Sequence, residues 1–176
     1  MNMKALTIAL ALLGVGAAVS DIAFDIRPRF LYNPSLSAPV GWYSVEAARS
    51  YSHGDRVAAF APEDARALAD ARGYLPFDYP LIKSVWAGPG ETVCRSGERV
   101  SAPGRSDITA LLQDGTGRVM PVWSGCAVLG ASQYFLASSG HENGWDSRYF
   151  GAVGSEDIMG RVHYLGESQF SGEPEE

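Results

Sequence analysis

Few side chains in this sequence sit in a pattern that does covalent chemistry. There is no Gly-x-Ser-x-Gly elbow, no Ser-x-x-Lys, no His-Glu-x-x-His, no Cys-x-x-Cys and no glycine-rich phosphate loop closed by Lys-Ser/Thr. The three histidines, His53, His141 and His163, lie in turns or a terminal strand with no neighbouring signature and read as structural. His141, Glu142 and Asp146 would offer a metal three mixed ligands from one short loop, which is a weak set. No metal or cofactor is therefore expected. What remains is Ser37, in Ser-Leu-Ser-Ala-Pro-Val-Gly, and Lys83, in Pro-Leu-Ile-Lys-Ser-Val-Trp-Ala-Gly-Pro-Gly.

A serine hydroxyl is a poor nucleophile until a base takes its proton, and a neutral lysine can be that base. At its ordinary pKa near 10.4, roughly one lysine in two thousand is neutral at pH 7. A lysine that works as a base near neutrality must be biased against its ammonium by about 4 kcal/mol. Leu81, Ile82, Val85 and Trp86 around Lys83 supply an apolar strand that can do this by burial. Two plainer readings stand beside the chemical one: Lys83 as a protective lysine on an edge strand, and Ser37 as a turn-capping serine beside Pro39.

The elements that must position these residues are mostly strands. With 46% hydrophobic and 19% charged residues, 20 Gly and 10 Pro, the 176-residue chain suits one turn-rich globular domain with an N-terminal extra. The segment before Tyr32 is a short extended lead-in, and residues 33–45 form a loop entering a strand. A turn at Gly54-Asp55 leads to a strand over 56–60. Pro62 to Gly73 is the clearest helix, with Pro62 at its first position, Glu63 and Asp64 in its first turn, Arg72 in its last and Gly73 ending it. Leu81 to Trp86 is a buried strand closed by Gly-Pro-Gly. Further strands lie around 134–137 and at the final Ile-Met-Gly-Arg-Val-His-Tyr-Leu, His-Glu-Asn-Gly-Trp-Asp-Ser-Arg-Tyr-Phe-Gly is a polar loop, and residues 171–176 are an acidic tail.

Residues 1–24 address the chain to a membrane. Lys4 precedes an unbroken apolar run from Ala5 to Ser20, and Asp21 follows it. Ala18-Val19-Ser20 reads as a cleavage site, whereas Ile22, Ala23 and Phe24 extend the run toward the ~20 residues of an uncleaved anchor. In both cases the positive N-terminus stays in the cytoplasm and the domain over 25–170 is exported. There, Cys94 and Cys126 form an even pair suited to a disulfide that ties off 94–126 as an insertion between core strands, the alternative being two unpaired buried thiols. A net charge of -6 without any Lys/Arg cluster excludes a nucleic-acid partner.

Four boxes recur in a fixed order. They are Ser-x-Pro (Ser37, Pro39), Gly-Asp-x-Val (Gly54, Asp55, Val57), Ile-Lys-x-Val-x-x-x-Pro-Gly-Glu (Ile82 to Glu91) and Asp-Ser-Arg-Tyr-Phe-Gly (Asp146 to Gly151). This set resembles the type I signal peptidase (S26) family. Asn-Pro-Ser-Leu-Ser-Ala-Pro-Val-Gly-Trp-Tyr, the helix after the second box and Trp-Ser-Gly-Cys are most similar to the conjugative-transfer peptidases of the TraF type that mature pilins.

The resemblance implies a mostly-β domain of coiled antiparallel sheets with one short helix and a disulfide-tied insertion, behind an N-terminal membrane helix. It implies a serine endopeptidase held at the bacterial inner membrane and facing the periplasm. Ser37 would be the acyl-forming nucleophile, Lys83 its base, Ser35 with the Ser37 backbone N–H the oxyanion hole, and Asp146 and Arg148 structural braces. The partner would be an exported, pilin-like precursor with small residues before the cut, hydrolysed or cyclised. A general secretory signal peptidase and an inactive periplasmic assembly or binding module are the alternatives. The sequence departs from the family at Gly144, where type I enzymes usually carry a serine that bonds the lysine. Either another hydroxyl, such as Ser138 or Ser139, orients Lys83, or packing alone holds the amine.

Overall fold

The computed structural model describes residues 28–138 and 143–167. The apolar N-terminal run, Ser139, His141, Glu142 and the acidic tail lie outside the described residues. None of the described helices is long and apolar enough to cross a membrane.

The chain begins with strands β1 (Phe30–Asn33) and β2 (Gly41–Glu46), joined by the loop that carries Ser35 and Ser37. β3 (Arg56–Ala59) follows, then helix α1 (Glu63–Ala71) and β4 (Leu81–Ala87). Next come β5 (Thr92–Ser96), β6 (Arg99–Ser101), β7 (Ile108–Thr109), β8 (Gly125–Val128) and β9 (Gln133–Ala137). A short helix α2 (Ser147–Phe150), β10 (Val153–Gly154), a 3₁₀ turn (Ser155–Asp157) and the long β11 (Ile158–Gly166) complete the described residues. Every pairing is antiparallel: a seven-stranded sheet runs β1-β2-β11-β3-β4-β9-β10, and a four-stranded sheet runs β7-β6-β5-β8.

The middle of the large sheet is buried on both faces. Val57, Ala59, Leu81, Val85 and Ile158 belong to one apolar cluster, and Tyr43, Ala58, Ile82, Met159 and Val162 to another. This explains the near-continuous apolar run of β4, since a strand covered on both sides need not alternate. α1 starts one residue later than the sequence suggests, with Pro62 as the cap and the acidic pair in the first turn. It buries Ala65 and Ala69, and Gly73, at φ +70, turns the chain away.

The Cys94–Cys126 segment lies between β4 and β9, neighbours in the large sheet, and builds most of a second sheet in which the two cysteines sit opposite one another on β5 and β8 and form the expected disulfide. The stretch expected as a polar loop contains α2, and Trp145, Asp146, Ser147 and Arg148 are buried. Among the described residues, two α-helices and a 3₁₀ turn therefore replace the one short helix expected of the domain, because the polar groups of 146–148 satisfy one another inside the fold.

Candidate active site

β4 carries Lys83 into the sheet. Its register with β3 sets Lys83 opposite Val57, and strand alternation places it on the face of Leu81 and Val85. Lys83 is 5% exposed. Its ammonium Nζ donates to Ser37 Oγ over 2.7 Å, so the two residues singled out in the sequence meet. Burial pushes the Lys83 pKa down from 10.5 to about 8; the Asp146 carboxylate opposes this and the Arg148 guanidinium reinforces it. The plainer reading of Lys83 as an edge-strand lysine fails, because β4 lies between β3 and β9.

The loop that carries Ser35 and Ser37 is built around Asn33, at the end of β1. Asn33 is buried, and its Nδ2 donates to the carbonyls of Ser35, Ala38 and Pro39 at 2.8, 3.0 and 3.1 Å. Its Oδ1 accepts the Ser35 backbone N–H at 3.2 Å and the Ser35 hydroxyl at 2.9 Å. Tyr43 adds a second tie, its hydroxyl donating to Pro39 O at 2.7 Å. Ser35 Oγ lies 3.0 Å from Ser37 Oγ. Gly41 sits where a Cβ would come within 2.5 Å of Gly166 O, so only glycine lets the loop pass so close to β11.

Asp146 and Arg148 are fully buried and paired, with Arg148 Nε 2.8 Å from Asp146 Oδ1 and Nη2 2.8 Å from Oδ2. Asp146 also caps α2 by accepting the Arg148 N–H. Arg148 Nη1 donates to Thr109 O of the small sheet at 2.7 Å, so the pair ties the two sheets together.

Ser138 donates to Asp146 Oδ2 from both its backbone N–H, at 2.9 Å, and its hydroxyl, at 3.1 Å. A Cβ at Gly144 would lie 2.1 Å from Ser138 Oγ. The space a serine at 144 would use is thus filled by the Ser138 hydroxyl. Continuing the Ser84–Ala137 register by one residue sets Ser138 opposite Lys83.

A cavity of about 480 Å³ opens beside the dyad. Ser35, Ser37 and Lys83 contribute to its lining, and Tyr74, Tyr79, Met120, Trp145 and Tyr149 furnish apolar wall. The connection between β7 and β8 adds Leu111 and Met120 to the lining, with Met120 Sδ 3.6 Å from the Tyr74 hydroxyl in the segment that follows α1. Sequence reasoning missed Asn33 and these walls. Asn33-Pro34-Ser35 did carry a signal for the first, since Asn before Pro starts turns by bonding the backbone two residues on.

His53 Nδ1 lies 3.1 Å from Trp86 O, and His163 pairs with the exposed Glu46. Both therefore lie outside the dyad's hydrogen bonds. Among the described residues no cluster of His, Cys, Asp or Glu is arranged to hold a metal.

Residues 2–165 match the sequence family described as "Signal peptidase, peptidase S26". The "Probable conjugal transfer protein TraF" of Sinorhizobium fredii (strain NBRC 101917 / NGR234) is 34% identical over 154 residues, covering 82% of this chain and 80% of that protein. A crystal structure of a signal peptidase I from Enterococcus faecalis V583 aligns at 15% identity with a TM-score of 0.39, covering 67% of this chain and all of that one. With its four boxes in order and the match spanning almost the whole chain, the protein belongs to the signal peptidase S26 family.

Proposed function

We propose that the chain is a Ser37/Lys83 serine endopeptidase that processes an exported precursor, a conjugative pilin. The observation that carries this reading is the 2.7 Å contact between a buried lysine and a serine hydroxyl. With a pKa of about 8, roughly one Lys83 in ten is neutral at pH 7. Neutral Nζ takes the Ser37 proton as Oγ attacks the scissile carbonyl, and the tetrahedral oxyanion is met by the Ser37 N–H and the Ser35 hydroxyl. The ammonium so formed gives its proton to the leaving amine, leaving an acyl-enzyme. Water then attacks with Lys83 again as base and releases a linear product, or the substrate's own amino terminus attacks and closes a ring. A role in conjugal transfer is supported by the relative's name, the pilin substrate by the resemblance of the sequence boxes to pilin-maturing peptidases, and the domain's export by the apolar N-terminal run, which would hold the protein at the inner membrane with its site in the periplasm.

The test is co-expression in membranes with a candidate pilin precursor and a mass measurement of the product. A linear mature chain indicates hydrolysis, and a chain lighter by one water indicates cyclisation. Precursor left equally unprocessed by wild type and Lys83→Ala would overturn the proposal. Ser37→Ala is expected to abolish turnover, whereas Ser35→Ala should lower it by about 10²–10³ and leave a measurable remainder. Equal, complete loss in both would remove Ser35 from the oxyanion hole.

A further inference from the structure

We infer that Asn33 is a positioning residue that holds the Ser35 hydroxyl and sets the direction of the hydrogen bonds through the nucleophile; this rests on the Ser37/Lys83 reading above. Four groups form an unbroken line. Lys83 Nζ donates to Ser37 Oγ at 2.7 Å, Ser37 Oγ lies 3.0 Å from Ser35 Oγ, and Ser35 Oγ donates to Asn33 Oδ1 at 2.9 Å. Each hydroxyl has one proton to give. With the Ser35 proton on Asn33, the proton between the two serines must come from Ser37. While Lys83 is an ammonium, every donor in the line therefore points from the lysine toward Asn33, and the Ser37 proton points away from its base.

Attack on a carbonyl requires the opposite polarity. Neutral Lys83 must accept from Ser37, and Ser35 must give its proton to the oxyanion. Asn33 fixes where the Ser35 oxygen waits and competes for its proton until the oxyanion, a stronger acceptor, draws it away. Asn33 can hold this place because its Nδ2 is already engaged by three loop carbonyls, which fixes the amide's orientation and leaves Oδ1 toward Ser35.

The experiment measures kcat and KM for the full-length protein in detergent micelles on a synthetic peptide spanning the precursor's cut. Asn33→Ala, Ser35→Ala and the double variant are compared, with circular dichroism to check folding. Asn33→Ala is expected to lower kcat by about 10- to 100-fold with KM within about threefold. If Asn33 acts through Ser35, the double variant loses clearly less than the product of the two single losses. Losses that multiply in full would reduce Asn33 to a loop clamp and overturn the proposal. Should Asn33→Ala fail to fold, Asn33→Gln, which keeps the amide's donors and acceptor but moves them one methylene outward, decides. Its displaced carbonyl should lower kcat about tenfold with Ser35 present and change it little in the Ser35→Ala background; an equal fall in both backgrounds would overturn the proposal. Ser37→Ala runs in the same series, and activity retained there would count against the dyad rather than against Asn33.

Discussion

At Lys83 the burial that the proposed chemistry requires also costs stability. Its folded pKa of about 8 lies below the ordinary 10.5. Below about pH 8 both folded and unfolded chains hold the proton, so the full cost of burying an ammonium weighs on the fold. Between about 8 and 10.5 the unfolded chain binds the extra proton, so stability rises with pH, and above that window the cost is gone. The difference corresponds to about 3 kcal/mol. Lys83→Met, similar in length and uncharged, is therefore expected to abolish turnover and to raise unfolding free energy at pH 7 by about 1–3 kcal/mol in urea denaturation. For the wild type, kcat/KM should climb with pH through an apparent pKa of about 8. A limb that stayed near 10.5 would mean that the amine is solvated in the working enzyme.

Between residue and fold stand the end of β9, residues 143–146 and α2, where Ser138, Gly144, Asp146 and Arg148 interlock. Because a Cβ at 144 would meet Ser138 Oγ at 2.1 Å, Gly144→Ser should cost about 1–3 kcal/mol in thermal melts. Adding Ser138→Gly removes the obstructing hydroxyl and should restore most of that loss. If the second substitution worsened the first, the two positions would not be sharing one space. The same region shows what the sequence could reveal. α1 and β4 were readable because their signals are local: a proline and two acids at a helix start, an apolar run around one lysine, glycine-bearing turns after each. Trp145 to Arg148 was misread as a polar loop because its burial depends on partners the local pattern does not contain. Arg148 bonds Thr109 O and Asp146, and Asp146 accepts from Ser138. Ser37 and Lys83 became legible through the order of the four boxes, whereas the five bonds of Asn33 follow from how the loop folds back on itself.

At the scale of the molecule, the large sheet carries Lys83 and the connection between β7 and β8 supplies a wall of the cavity, so a tie within the small sheet and a tie at that wall should fail differently. The disulfide joins β5 to β8 within the small sheet, closing a loop of 32 residues, which is worth about 3–4 kcal/mol in the chain-entropy picture. Docking of the small sheet does not depend on it alone. Arg95 Nη1 and Trp123 Nε1 both donate to Arg148 O, at 2.6 and 3.0 Å, and Leu111 N donates to Tyr149 OH at 3.1 Å. Paired Cys94→Ser and Cys126→Ser should therefore lower Tm by about 10 °C while leaving kcat and KM unchanged well below the melt. The tie nearer the cavity mouth is the Tyr74 hydroxyl, which donates to Asp114 Oδ2 at 2.5 Å, with Arg118 Nε on the same oxygen at 2.6 Å. Chiefly through the Tyr74 hydroxyl, these bonds hold the Asp114 carboxyl well below the usual carboxylate range, so the latch survives mild acid. Tyr74→Phe keeps the ring against Trp145 and deletes this bond together with the hydroxyl's longer contacts to Arg72 Nη1, at 3.4 Å, and Met120 Sδ, at 3.6 Å. It should raise KM about three- to tenfold with kcat nearly constant, since the wall loosens while Ser37 and Lys83 stay in place. A Tyr74→Phe variant that lost kcat instead would show that this wall acts on the dyad itself and not only on the bound peptide.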